Sequence, residues 1–168
     1  RRSWPKMTPD ATVVLIGVGG LGHLGVQIVK ATTSARVIAV DPKPDARELA
    51  ASFGADHTIA PDEHAVEAIR QLTGGLGADV IIDFVGSEST MQLAQAAVRT
   101  LGDITIVGLA GGAVPYSFFT QPYEVNLTTT YWGSRPELVE LFHLASRGLV
   151  RAEYSTYALT DGVQAYRD

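Results

Sequence analysis

Gly17-Val18-Gly19-Gly20-Leu21-Gly22 carries the glycine spacing of a turn that cradles phosphate. It follows an apolar β-branched run, Thr12 to Ile16, and opens a segment of helical period. In such a turn Gly17 permits the tight bend, Gly19 lets the backbone come close to a pyrophosphate, and Gly22 lets the helix pack on the strand. Amides at the helix start then face the phosphates, where the helix dipole favours negative charge. The glycine spacing alone is common, so its partner matters. Asp41 closes the second apolar run nineteen residues after Gly22, near the roughly 20 expected of an acid that binds a ribose diol. A carboxylate there accepts hydrogen bonds from the ribose of NAD and repels the extra 2′-phosphate of NADP. Lys43 and Arg47 stand close by, but a solvated helix face accounts for them. The combined pattern points to a dinucleotide, and to NAD rather than NADP.

Other chemistry is thinly represented. The 168 residues contain no cysteine, which excludes disulfides, thiolate metal sites and a cysteine nucleophile. His23, His57, His64 and His143 are scattered without ligand spacing. His23, just inside the helix, reads as simple packing or solvent exposure. Asp83, at the end of a buried strand, reads as a hydrogen-bonded buried carboxylate. No catalytic or metal-binding residue is assigned.

The elements that would position the turn follow from apolar patterning. Strands are expected at Thr12 to Ile16, Arg36 to Asp41, His57 to Ile59, Asp79 to Val85, Asp103 to Val107 and Leu127 to Tyr131. Helices are expected at Gly20 to Thr32, Pro44 to Phe53, Glu63 to Leu72, Ser87 to Arg99, and from Ser134 to about Arg147. In the first helix Leu21, Leu24, Gly25, Ile28 and Val29 share one face. This alternation implies an α/β fold: a Rossmann-type, doubly wound, six-stranded parallel sheet with helices on both faces. Residues 111–126 interrupt the rhythm with Tyr116, Phe118, Phe119 and Tyr123. After Gly148 the rhythm fades, although Asp161 to Arg167 has the pattern to start a helix. Hydrophobic residues make up 46% and charged residues 18% of the chain, which argues against disorder or a coiled coil. A net charge of −5 without a basic run makes nucleic acid and anionic membrane poor partners. No signal peptide is apparent, and the absence of cysteine suits a cytoplasmic location. The chain opens at Arg1 without a Met and closes in a helix-like stretch, as expected of a piece of a longer protein.

Five motifs in order resemble the zinc-dependent medium-chain alcohol dehydrogenases, most closely the bacterial secondary-alcohol type. They are Gly17 to His23, Val40-Asp41, Asp83-Phe84-Val85-Gly86, Val107-Gly108-Leu109 and Tyr131-Trp132-Gly133. The resemblance covers nearly the whole chain. It implies a single NAD-binding domain over 1–168, with 150–168 returning toward a GroES-like catalytic domain that is absent here. Gly19, Gly20 and Leu21 would meet the pyrophosphate and Asp41 the adenosine ribose. Val85 and Gly86 would lie beside the cofactor. Val107, Gly108 and Leu109 would flank the nicotinamide, and Thr130 and Trp132 would complete that edge. For Val85, Val107 and Leu109, packing at a strand end is the plain alternative; for Tyr131 and Trp132 it is a core or interface position. Many members carry a basic residue where this chain has Ala46.

The family's zinc and proton relay come from the other domain, so this chain would bind NAD but neither zinc nor, alone, turn over an alcohol or ketone. The resemblance also implies a homodimer through the edge strand, Asn126 to Tyr131, unless residues 111–123 cap that edge. Three rivals stay open. A zinc-free quinone reductase usually lacks the counterparts of Gly17 and Asp41. A non-catalytic NAD-sensing module would differ only outside this sequence. A methyltransferase using S-adenosylmethionine fits the six-strand alternation poorly.

Overall fold

A computed structural model describes residues 3–167. Six strands form one sheet: β1 (Thr12–Ile16), β2 (Arg36–Val40), β3 (His57–Ile59), β4 (Ala78–Asp83), β5 (Val98–Ile106) and β6 (Asn126–Thr129). Their order is β3-β2-β1-β4-β5-β6 and every pairing is parallel. The helices are α1 (Gly22–Thr32), α2 (Pro44–Ser52), α3 (Ala65–Leu72), α4 (Glu88–Ala97), α5 (Arg135–Ser146) and the four-residue α6 (Gly162–Ala165). The doubly wound fold expected from the sequence is the fold observed. No helix among the described residues is long and apolar enough to cross a membrane.

The strands are apolar on both sides because both sides are covered. Alternate side chains leave a strand on opposite faces. Val14, Ile16, Ile38, Val40, Ile81 and Ile104 therefore join Ile69 of α3 and Ala94 and Ala97 of α4 in one core. Val13, Leu15, Val37, Ala39 and Val80 join Val26 and Val29 of α1 and Ala50 of α2 in the other. Burying each such Val or Ile stabilises the fold by about 1.5–3 kcal/mol. Successive strands run outward from β1 on one side through β2 and β3, then cross to β4 on the other. This reversal opens a crevice at the carboxyl ends of β1 and β4.

Several boundaries differ from the sequence reading. The α4 helix stops at Ala97, not Arg99, because buried Val98 has extended backbone and pairs with Ala78 in the sheet. The register then shifts, so that Asp103 pairs with Val80, and Leu101 between them takes φ +65°. The α3 helix starts at Ala65 rather than Glu63. Strands β2, β4 and β6 end at Val40, Asp83 and Thr129, which leaves Asp41, Phe84, Val85, Thr130 and Tyr131 in the turns beyond them. The buried face of α1 is Gly22, His23, Val26, Gln27 and Val29, whereas Leu21 is exposed. Gly22, Val26 and Val29 turn to the sheet, while His23 and Gln27 are covered by residues 151–153. That cover is the role taken by the region after Gly148, which forms no strand among the described residues.

The opposite end of the sheet is tied by charge. Lys6 donates to Asp103 at 2.5 Å and to the Leu101 carbonyl at 2.6 Å, and Asn126 donates to Asp103 at 2.9 Å. Burial alone would raise the Asp103 carboxyl. The Lys6 and Asn126 hydrogen bonds outweigh it and hold the group below the usual carboxylate range.

Candidate dinucleotide site

The glycine turn is built by close backbone approach. Gly17 sits at φ +87°, with its N–H donating to the Val40 carbonyl at 2.8 Å. A Cβ on Gly22 would lie 1.8 Å from the Gly17 carbonyl oxygen, so only hydrogen allows α1 to start against the end of β1. A Cβ on Gly19 or Gly20 would meet nothing within 4 Å. These two glycines face open space rather than protein. Leu21, the residue that precedes α1, provides no side-chain cap; the His23 amide goes to the Gly19 carbonyl, and the amides ahead of it are left for solvent or a ligand.

That open space is a cleft of about 710 Å³. The whole turn from Gly17 to Gly22 forms one wall, Asp41, Lys43 and Ala46 another, and Phe84, Val85 and Thr90 a third. Asp41 is buried, at 8% exposure. Its Oδ2 accepts the Val18 amide at 2.8 Å and its Oδ1 the Lys43 amide at 2.8 Å. The acid thus locks the end of β2 to the glycine turn. Each oxygen keeps a lone pair for a further donor. Arg47 donates to the Asp41 and Pro42 carbonyls at 2.7 and 2.9 Å, which brings its guanidinium to the same rim. Arg47 is half-buried there and is not among the residues that line the cleft.

The turns after β4 and β5 are joined through Asp83, which is fully buried. Its Oδ1 accepts the Val85 and Gly86 amides at 2.8 and 3.0 Å. Its carbonyl accepts the Val107 and Gly108 amides at 2.8 and 3.1 Å. Oδ2 is buried without a partner, so the expected hydrogen-bonded carboxylate is satisfied on one oxygen only. The Thr130 amide continues the series by donating to Ile106 at 3.1 Å. Val85 lines the cleft, whereas Gly86, Val107, Gly108, Leu109, Thr130 and Trp132 are not among its lining residues. Leu109, Tyr131 and Trp132 are 87%, 79% and 83% exposed, which excludes core packing within this chain. Pro61 and Thr90 also line the cleft, and the sequence reading missed both. Thr90 had a signal, since it stands three residues after Ser87 in a capping box.

The zinc-binding dehydrogenase profile matches residues 20–147 of this chain. The chain belongs to the zinc-binding dehydrogenase family. An NAD-dependent alcohol dehydrogenase of Sulfolobus acidocaldarius is 34% identical over 149 residues, which is 87% of this chain and 43% of that protein. An alcohol dehydrogenase of Rhizobium meliloti is 34% identical over 154 residues, 89% of this chain and 44% of that protein. The crystal structure of the alcohol dehydrogenase from Aeropyrum pernix superposes with a TM-score of 0.91 at 34% identity, over 99% of this chain and 48% of that one. The chain therefore spans less than half the length of these relatives. Their names do not favour the quinone reductase or sensing-module readings.

The family name raises the question of zinc. Among the described residues, no group of three or more His, Cys, Asp or Glu side chains is placed to hold a metal ion. Asp83, among the described residues the one buried acid with an unpartnered oxygen, stands without the company a tetrahedral zinc site requires. The described residues of this chain do not fit a zinc site.

Proposed function

We propose that the chain is the NAD(H)-binding domain of an alcohol dehydrogenase. The observation that carries this reading is the cleft itself. An uncapped helix start and two open glycines form one end, and a buried acid with lone pairs to spare forms the other. Gly17 and Gly22 shape the turn that lets Gly19, Gly20 and Leu21 present amides to the pyrophosphate. Asp41 takes the adenosine ribose. Val85 and Gly86 lie beside the cofactor, and Val107, Gly108, Leu109, Thr130 and Trp132 hold the nicotinamide edge. When bound, NAD supplies a hydride acceptor at C4 of its nicotinamide ring. This chain orients that ring and shields one face of it. The alcohol or ketone pocket, and zinc with its ligands, belong to residues outside these 168, and the whole resides in the cytoplasm.

Titration with NADH, followed by quenching of the exposed Trp132, tests the reading. Saturable binding is expected, at least tenfold tighter than for NADPH. The same preparation, supplied with zinc and an alcohol, is expected to form no NADH. Absence of any NADH response would sink the cofactor assignment, and equal affinity for both nucleotides would sink the NAD preference.

The sheet edge supports a second element of the proposal. Strand β6 pairs with β5 alone among the described strands. Beside it Phe118, Phe119, Tyr123, Tyr131 and Trp132 stand exposed. An open edge with an aromatic border favours strand pairing with a second copy. The proposed homodimer joins through Asn126 to Tyr131. Sedimentation equilibrium is expected to give twice the 17.9 kDa chain mass, and a monomer at high concentration would count against the edge pairing.

A further inference from the structure

Cofactor affinity in this fold depends on where the amides of the glycine turn point, and one histidine bears on an exposed one of them. His23 is buried, at 5% exposure, and both ring nitrogens are engaged. Nε2 lies 3.1 Å from the Glu153 backbone nitrogen, and Nδ1 lies 2.8 Å from the Gly19 carbonyl oxygen. A backbone N–H only donates, so Nε2 accepts and Nδ1 carries the proton that goes to Gly19. Of the two expectations for His23, packing is the one observed, and it is made through hydrogen bonds at both ring nitrogens. The Gly19 carbonyl also accepts the His23 backbone N–H at 3.2 Å, so two donors from one residue fix its direction. A trans peptide is planar, and its C=O and N–H point opposite ways. Holding the Gly19 oxygen back toward α1 therefore aims the Gly20 N–H away from α1. Gly20 is exposed and lines the cleft.

The ring is itself held from outside. Gln27, one turn along α1, donates to the Arg151 carbonyl and accepts the Arg151 amide, both at 2.9 Å. The Arg151 guanidinium lies 5.2 Å over the Phe53 ring, whose centroid is 6.1 Å from that of His23. Residues 151–153 thus form a strap across α1 and the end of α2.

We infer that His23 is a positioning residue for the cofactor, setting the direction of the Gly20 amide through the Gly19 carbonyl while the 151–153 strap holds its ring in place. The inference rests on the NAD reading above. Its consequence is that a segment contributing nothing to the cleft wall tunes cofactor affinity.

NADH dissociation constants and melting temperatures of the 168-residue chain and its variants test this. His23→Leu removes both ring bonds and is expected to weaken NADH about tenfold, the scale of one lost hydrogen bond that serves a charged group. His23→Asn places an amide donor where Nδ1 stood, and is expected to recover most of that loss without restoring the bond to Glu153. Gln27→Leu loosens the strap without touching the turn, and is expected to weaken NADH about threefold with His23 present and to add little to His23→Leu. A merely structural His23 would give lower melting temperatures in both His23 variants with unchanged NADH affinity, which would overturn the inference. If His23→Leu does not fold, Gln27→Leu decides, because unchanged affinity there removes the strap from the site. Failure of the wild-type chain to bind NADH would instead overturn the NAD reading, and this inference with it.

Discussion

Gly22→Ala is expected to lower the melting temperature by about 10 °C or more and to abolish NADH binding, whereas Gly19→Ala leaves the melting temperature within about 2 °C of wild type. The two glycines share one motif but meet different surroundings. The added Cβ at Gly22 would lie 1.8 Å from the Gly17 carbonyl oxygen and 2.8 Å from its carbon. These are backbone atoms, and they cannot swing away as a side chain would. Gly17 is held by its hydrogen bond to Val40 and by a left-handed backbone. Relief therefore requires α1 to lift off β1, which breaks contacts of Val26 and Val29 in the core. A loss above about 4 kcal/mol is the expected scale for such a clash, against a total stability of about 5–15 kcal/mol. At Gly19 the added methyl enters only the cleft. The fold stands, while NADH affinity is expected to fall at least tenfold because the methyl occupies space needed for close backbone approach. Thermal melting and NADH titration of both variants separate the outcomes. Equal melting temperatures would show that the turn has more room than the 1.8 Å separation allows.

What could be read from the sequence was what is locally encoded. The inner strands were legible because each is apolar on both faces, and Thr12 to Ile16 is buried at all five positions. The glycine turn and Asp41 were legible because chain geometry alone sets their spacing. The start of β5 was not. Val98 continues a helical pattern, and only its pairing with Ala78 pulls it into the sheet. The buried face of α1 was misread for a related reason. His23 and Gln27 are polar and fall outside the apolar face read from the sequence, yet Glu153 and Arg151, 130 and 124 positions further on, satisfy them. Arg47, read as part of a solvated helix face, is half-buried and donates to the carbonyls of Asp41 and Pro42 just before its own helix. For His23 and Gln27 a polar side chain found its partner through tertiary packing, which neither hydrophobic period nor motif spacing records.

Asp41 offers the second large effect, because its carboxylate carries two duties at once. Asp41→Asn keeps the shape but exchanges one acceptor oxygen for an NH2 donor. Both Asp41 oxygens face backbone N–H groups, those of Val18 and Lys43, each at 2.8 Å. Whichever way the new amide turns, a donor meets a donor. The Val18 amide is buried, and leaving it unpaired costs about 1–3 kcal/mol. A melting temperature lower by about 2–8 °C is therefore expected even without ligand. The effect on nucleotide choice is larger. Removing the negative charge takes away an acceptor for the ribose hydroxyls and also the repulsion of a 2′-phosphate. Discrimination in favour of NADH is expected to shrink about a hundredfold, equivalent to about 2.7 kcal/mol. Two unit charges about 4 Å apart near a surface interact by about 4 kcal/mol, which makes that change physically reasonable. Arg47, held at the same rim by the Asp41 and Pro42 carbonyls, then becomes the attractive partner for the phosphate. Adding Arg47→Ala should reverse the gain in NADPH affinity while leaving NADH near the Asp41→Asn value. Parallel titrations with the two nucleotides decide the matter. Retention of the wild-type preference in Asp41→Asn would show that the carboxylate is only a clamp between β2 and the glycine turn, and that selection against the 2′-phosphate comes from the shape of the rim.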